Sequence, residues 1–296
     1  MPVEEPRTRK FHSRTYAIDT IKGVNLAGQT FVITGTTNGI GIETARSLVL
    51  HGAHVKIVDE MHDAEIDIIK CDLNSLKSVK TATEEYISKG WPINCLILNA
   101  GVFGTASTTT SDGLESHFGI NHLAHFLLIR ELLPIVRQSA PSKIILVSST
   151  VHAQCEVTPD MPILQKVRIL CPESPDDATW FVYENHNEIS TYSVHPGNGV
   201  RTNIFRDSWL VSIASILSTP FTKNISQGAA TTVYCAGNPE VAHVSGKYWE
   251  SCWDDEKTLY NEVARDEELQ DAVWEHSQKL LNKLLDSKLE SCVFEC

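Results

Sequence analysis

The segment TGTTNGIGIETA, residues 34–45, carries three glycines in the spacing T-G-x-x-x-G-x-G, at Gly35, Gly39 and Gly41. It follows a β-branched run and opens a stretch with helical periodicity. The chemistry this arrangement offers is anion binding. Glycine backbone lets a pyrophosphate approach closely, and the amides and positive dipole end of a helix N-terminus hold it. Gly35, Thr36, Asn38, Gly39, Ile40 and Gly41 are therefore the candidate phosphate-binding residues. Asp59 ends the next apolar run, 24 residues after Gly35. A carboxylate there accepts hydrogen bonds from adenosine ribose hydroxyls and repels a 2′-phosphate. Glu60 adds to that repulsion, so NAD is favoured over NADP as the dinucleotide. Tyr183 is a candidate proton donor, although a tyrosine titrates at about 10 and needs a neighbouring cation to serve near neutrality. His117, His122 and His125 cluster in sequence, with 122 and 125 one helical turn apart, but no metal site is expected of them.

These side chains need a scaffold, and the hydropathy pattern supplies one. QTFVITG (29–35), AHVKIVD (53–59), EIDIIKCDL (65–73), NCLILNAG (94–101), KIILVSS (143–149), TYSVHPG (191–197) and VSGKYWE (244–250) read as strands. Between several of them lie helical patterns: 39–52, ending at Gly52, and 111–138, which Pro134 is expected to interrupt. Apolar runs alternating with helices indicate an α/β fold with a doubly wound, parallel, Rossmann-type sheet. An amphipathic helix is expected over 266–290. The expected organisation is an N-terminal arm at 1–28, the α/β domain at 29–250 and a helical extension at 251–296.

Thr34-Gly35, Gly39, Gly41, Asn99-Ala100-Gly101, Asn121, Ser148-Ser149 and His195-Pro196-Gly197 occur in this order. With them the chain resembles the short-chain dehydrogenase/reductase family over about residues 29–250. The resemblance implies roles for matching positions. Asp72 would contact the adenine, and Asn99, Ala100 and Gly101 would line the cofactor. Asn121 would hold a water in a proton relay, and Ser149 would hydrogen-bond a substrate carbonyl. Pro196, Gly197 and the segment after them would close over the nicotinamide. Tyr183, preceded by Trp180, stands where the family has its catalytic acid. The implied reaction interconverts an alcohol and a carbonyl compound with NAD or NADP. The implied substrate is a small lipophilic alcohol or ketone, such as a steroid or retinoid.

Two features depart from the family. Its motif is Tyr-x-x-x-Lys, which puts both side chains on one helix face, and the fourth residue after Tyr183 is Asn187. None of the other six tyrosines has a lysine at that spacing. The seven residues between Tyr183 and Thr191 allow about two helical turns, where the family has a full helix. Similarly, only Glu60–Ala64 separate AHVKIVD from EIDIIKCDL, and a parallel crossover normally takes about a dozen residues or more. One strand is expected to be lost there, or its pairing changed. Two missing crossover helices in an otherwise matching domain are what skipped exons or a faulty gene reading produce, with evolved loss of activity as the second explanation. The alternative to an impaired oxidoreductase is a nucleotide-binding scaffold that acts through protein partners.

The 296-residue chain can bury a large core, and 42% of it is hydrophobic. Its net charge of −12 argues against nucleic acid or an anionic membrane as a main partner. Eight cysteines show no CxxC pair, and several lie in apolar runs, as expected in a reduced compartment. The first 19 residues contain no apolar run of the kind a secretory leader needs, so the cytoplasm is the expected location. Residues 1–28 contain no tryptophan and cannot form a small two-tryptophan module. The most apolar segment, 209–221, is too short to span a bilayer and is expected to be a buried or substrate-facing helix, with membrane contact at most peripheral.

Overall fold

The computed structural model describes residues 9–58, 66–103, 108–149, 157–171, 189–197, 200 and 222–293, of which 57–58 and 287–293 by their backbone alone. Seven strands form one sheet: β1 Thr30–Thr34, β2 His54–Val58, β3 Ile66–Ile68, β4 Cys95–Leu98, β5 Ser142–Val147, β6 Ile189–His195 and β7 Lys247–Glu250. Their order is β3-β2-β1-β4-β5-β6-β7, and every neighbouring pair is parallel. The helices are α1 Gly39–Val49, α2 Leu76–Ser88, α3 Ala124–Gln138, α4 Ile163–Leu170, α5 Ile225–Gly237, α6 Asn261–Ala264 and α7 Glu267–Val293.

Strand alternation sorts the core into two layers. Val32, Leu96, Leu98 and Ile144 point to one face and pack with α2, α3 and α7, through residues such as Val79, Leu127 and Leu281. Phe31, Ile33, Cys95, Ile97 and Ile145 point to the other and pack with α1 and α5, through Leu48, Ala229 and Val233. Because both faces are covered, the strands read as unbroken apolar runs. Lys143, on β5, donates to the carbonyls of Cys235 and Ala236 at 2.9 and 3.1 Å, capping the last turn of α5 where a cation suits the helix dipole.

The β2–β3 connection corrects the sequence expectation. Neither strand is lost and the pairing is unchanged: Val55 pairs with Ile66 and Ile57 with Ile68. The chain manages this because β3 spends only three residues in the ladder. Eight Cα steps from Val58 to Ile66 reach about 26–29 Å, while the return to the level of Val55 takes about 10 Å along the sheet. The cost is visible at the edge, where Ile66 and Ile68 are only partly buried.

The helix through 111–138 is also not interrupted where expected. α3 runs through Pro134, which is exposed, so water can satisfy the carbonyl that loses its N–H partner. The irregularity lies earlier, as a π-helical turn over Phe118–Leu123 that contains Asn121. The β5–β6 crossover holds one described helix, α4, upstream of Tyr183. Residues 172–188, 201–221 and 59–65 lie outside the described residues, and with them Tyr183, the apolar segment 209–221 and Asp59.

The N-terminal segment is woven into the domain. A 3₁₀ turn, Ala17–Ile21, buries Ala17 and Ile21, and Leu26 is buried beside them in the α1–α5 layer. Asn238 donates to the carbonyl of Thr20 at 2.7 Å and Gln227 to that of Arg14 at 3.1 Å.

α4 is anchored to the C-terminal helix by one ion pair. Lys166, 4% exposed, donates to Asp266 at 2.8 Å, and the same carboxylate accepts from the Leu269 amide at 3.0 Å, capping α7. The bond from Lys166 holds the Asp266 carboxyl below its ordinary range. Asp266→Ala should therefore cost about 3 kcal/mol in urea unfolding, because it strands a buried ammonium and removes a cap. For a carboxyl whose folded pKa is depressed, the stabilisation is complete above the unfolded value of about 3.9 and is lost as pH falls through the lower folded value. Asp266→Asn should accordingly flatten the acid limb of the stability curve below about pH 4.

Candidate functional site

The candidate site lies at the C-terminal ends of β1, β4, β5 and β6, on both sides of the β1–β4 boundary where strand order reverses. Open α/β sheets bind ligands at such a boundary. β1 ends at Thr34 and α1 begins at Gly39, with Asn38 extended at its N-cap and making no side-chain cap bond. The first-turn amides of α1 thus keep their donors for an anion. Two glycines are required on different grounds. Gly35 sits at φ +72°, and a Cβ on it would lie 2.7 Å from the Cα of Ala100. Gly41 has no such angle, but its Cβ would stand 2.0 Å from the Gly35 carbonyl oxygen and 2.6 Å from the Asn99 amide nitrogen.

Asn99 and Ala100 are stapled to this loop. The backbone amides of both donate to Thr34 Oγ1 at 3.0 Å. The Asn99 side chain donates to the Thr34 and Gly35 carbonyls, also at 3.0 Å. Gly101 faces Asn121, whose Oδ1 accepts from the Val102 amide at 2.8 Å and whose Nδ2 donates to the Val102 carbonyl at 3.0 Å. Each end of the Asn121 amide thus makes one bond to backbone, which leaves its second N–H and second lone pair for a water.

Ser148 donates its backbone N–H to the Val194 carbonyl at 2.8 Å, which sets Ser148 and Ser149 beside β6 at the sheet's C-terminal edge. Pro196 follows β6, and its carbonyl accepts from the ammonium of Lys223 at 3.0 Å. Gly197 lies at φ +96°, and a Cβ there would stand 1.9 Å from that ammonium. Lys223 is 8% exposed, and burial lowers its pKa. At the other side of the site Asp72 is exposed, with one carboxylate oxygen accepting from the Asn74 amide at 2.9 Å. Ile40 meets α5 next to Val200, at a contact made close by Gly228.

The residues present fit a dinucleotide. The glycine cradle would be filled by any Cβ at Gly35 or Gly41, and the hydroxyl of Thr36 is buried with no hydrogen-bond partner among the described residues. The Ser148 hydroxyl is in the same condition. Both could take a partner from a bound ligand, since no described residue supplies one.

The three helix-region histidines are each engaged elsewhere. His117 pairs with Glu115 at 2.6 Å, His122 bonds Ser277 Oγ at 2.9 Å, and His125 bonds Thr34 Oγ1 at 3.0 Å. Among the described residues no group of His, Cys, Asp and Glu could hold a metal ion. Thr34, His125 and Lys223 were not foreseen as site residues. Thr34 could have been, since its hydroxyl immediately precedes the first glycine. His125 and Lys223 reach the site only through tertiary contacts.

Residues 29–157 match the short chain dehydrogenase family. The chain is 34% identical to the WW domain-containing oxidoreductase of Gallus gallus over 96% of its own length and 75% of the relative's. It is 33% identical to the Homo sapiens protein of the same name, covering 96% and 76%, and 32% identical to retinol dehydrogenase 12 of Mus musculus, covering 87% and 88%. A solved 3-ketoacyl-(acyl-carrier-protein) reductase from Brucella melitensis, complexed with NADH, shares the fold with a TM-score of 0.54 at 18% identity, covering 76% of this chain and 97% of that one. The chain belongs to the short-chain dehydrogenase/reductase family of oxidoreductases. Within that family, its likeness to the WW domain-containing oxidoreductases extends over nearly the whole chain, and the fold is the family's NAD(P)-binding one.

Proposed function

We propose that this chain binds NAD in preference to NADP and is an impaired oxidoreductase for a small lipophilic alcohol or ketone. One observation supports dinucleotide binding: the phosphate cradle is braced by Thr34 and Asn99 and has Gly35 and Gly41 where a Cβ would clash. The preference for NAD rests on the sequence alone, on Asp59 and Glu60. The impairment rests on a stretch of sequence. No lysine occurs between Lys166 and Lys223, so Tyr183 has no ammonium one helical turn away. A bound dinucleotide supplies the hydride acceptor or donor. The chain's own groups would position it: Gly35 to Gly41 at the pyrophosphate, Asp59 at the adenosine ribose, Asp72 at the adenine, and Asn99 to Gly101 and Pro196–Gly197 towards the nicotinamide. Ser149 would hold the substrate oxygen, and Tyr183 would exchange the proton with it.

The lipophilic substrate class is supported by the likeness to a retinol dehydrogenase. Membrane contact is proposed to be peripheral at most, on the shortness of the apolar segment 209–221 in the sequence; no helix among the described residues is long and apolar enough to cross a membrane. A cytoplasmic location is the reading that the cysteine spacing favours, with no CxxC pair in the sequence. A second reading, a nucleotide-binding scaffold with protein partners, is favoured by the missing lysine alone.

Calorimetric titration separates these points. NADH should bind more tightly than NADPH, and Asp59→Ala should narrow the difference. Tighter NADPH binding would overturn the ribose assignment. No binding of either would overturn the cofactor reading altogether.

A further inference from the structure

Thr34, His125 and Asn121 form a hydrogen-bond chain whose proton positions can be worked out. A hydroxyl has one proton and two acceptor lone pairs. Both lone pairs of Thr34 Oγ1 are taken, by the backbone N–H groups of Asn99 and Ala100, each at 3.0 Å. Its remaining contact is His125 Nε2 at 3.0 Å, so the hydroxyl must donate there. Nε2 is then bare, and in a neutral imidazole the proton lies on Nδ1. Nδ1 is 3.0 Å from the Asn121 carbonyl oxygen, which accepts it.

We propose that His125 is a positioning residue: as the neutral Nδ1–H tautomer it joins, through Thr34, the Asn99–Ala100 segment beneath the phosphate cradle to the main-chain carbonyl of Asn121. The functional half of this rests on the cofactor-binding reading above, whereas the tautomer does not. The arrangement ties three parts of the site, on β1, after β4 and in the π-helical turn, to one buried ring. It works only when the ring is uncharged. A second ring proton would face Thr34 Oγ1, which has no lone pair left. Burial holds His125 at about 4. The neighbouring His122 feels the charged forms of His125 and, from α7, of His276 as repulsive, so charge on this histidine pair is mutually disfavoured.

Two measurements on the full chain test the proposal. Nitrogen-15 NMR of the imidazole side chains, assigned by the signal lost in His125→Gln, should show a protonated Nδ1 and a bare Nε2, unchanged from about pH 8 to about pH 5. An Nε2–H tautomer, or a titration midpoint near the ordinary value, would overturn it. Should His125→Gln not fold, the unsubstituted chain must still show one such pH-insensitive imidazole, and its absence overturns the proposal equally. NADH affinity supplies the second arm. His125→Phe and Thr34→Val should each weaken binding about tenfold, and the double variant should be no weaker than the worse single, because the residues act as one chain. Thr34→Ser, which keeps the hydroxyl, should bind as the unsubstituted chain does. Additive losses, or a His125→Phe chain with full affinity, would refute the positioning role. If the unsubstituted chain binds no NADH, the cofactor reading fails instead, and the tautomer together with Thr34–His125 coupling in urea unfolding decides this one.

Discussion

Tyr183→Phe is expected to leave the residual turnover of this chain within about twofold of its starting value. The reason is the pKa of an unassisted phenol, at about 10, which is badly matched to proton transfer near neutrality. Positioned acid–base catalysis is typically worth about 10²–10⁴-fold, and loss of the group that steadies the nicotinamide ribose can cost roughly 10² more. Turnover should therefore sit at least about 10³-fold below that of a relative with the intact Tyr-x-x-x-Lys motif on the same lipophilic alcohol. Grafting the family's helix and its lysine between Tyr183 and β6 should recover the rate, and in that chain Tyr183→Phe should abolish it. Steady-state kinetics on the chain, the grafted chain, their two Tyr183→Phe variants and the relative decide the matter. Family-like rates in the chain as it stands, removed by Tyr183→Phe, would mean that another cation tunes the tyrosine. Lys223, buried against Pro196, is then the first described residue to substitute.

Gly41→Ala should remove dinucleotide binding, by at least about 100-fold in calorimetry, since the first turn of α1 must move to accept it. The added Cβ would lie 2.0 Å from the Gly35 carbonyl oxygen, and backbone cannot swing aside as a flexible side chain can. Gly90→Ala is the informative contrast. Gly90 also lies at positive φ, +65°, but has nothing within 4 Å of its Cβ position. It should cost only the left-handed backbone penalty, about 1–2 kcal/mol in urea unfolding, and leave cofactor affinity alone. If both variants bind NADH normally, the glycine cradle is not where the pyrophosphate goes.

Much of this scaffold could be read directly, because strands buried on both faces are apolar at every position and announce themselves. Phe31, Val32 and Ile33 belong to opposite layers, yet all three are buried in β1. Lengths were harder. β3 has three residues in the ladder where its apolar run suggested more, and that shortening is what lets a brief connection close a parallel pair. Pro134 misled because a proline in a helix costs most when the freed carbonyl is buried, and here it faces water. At the site, glycine spacing exposed the cradle, since only glycine tolerates Gly41's surroundings. His125, visible only as one of three clustered histidines, and Lys223 gave no sign of a place at the site, for the opposite reason. Their partners, Thr34 and Pro196, are 91 and 27 residues away, and no local pattern records such a meeting.

The woven N-terminal segment has a consequence for how the chain is made. Ala17 donates to Ser226, 209 residues later, and Ile21 and Leu26 pack under Gly237 at the end of α5. Ribosomes add about 5–20 residues per second, so this segment waits on the order of 10–40 s for its partner to be synthesised. Throughout that time the apolar side chains of Ile21 and Leu26 are available to chaperones or to neighbouring nascent chains. These residues leave the ribosome ahead of the α/β domain they belong to and are thus among the last of its core to be buried.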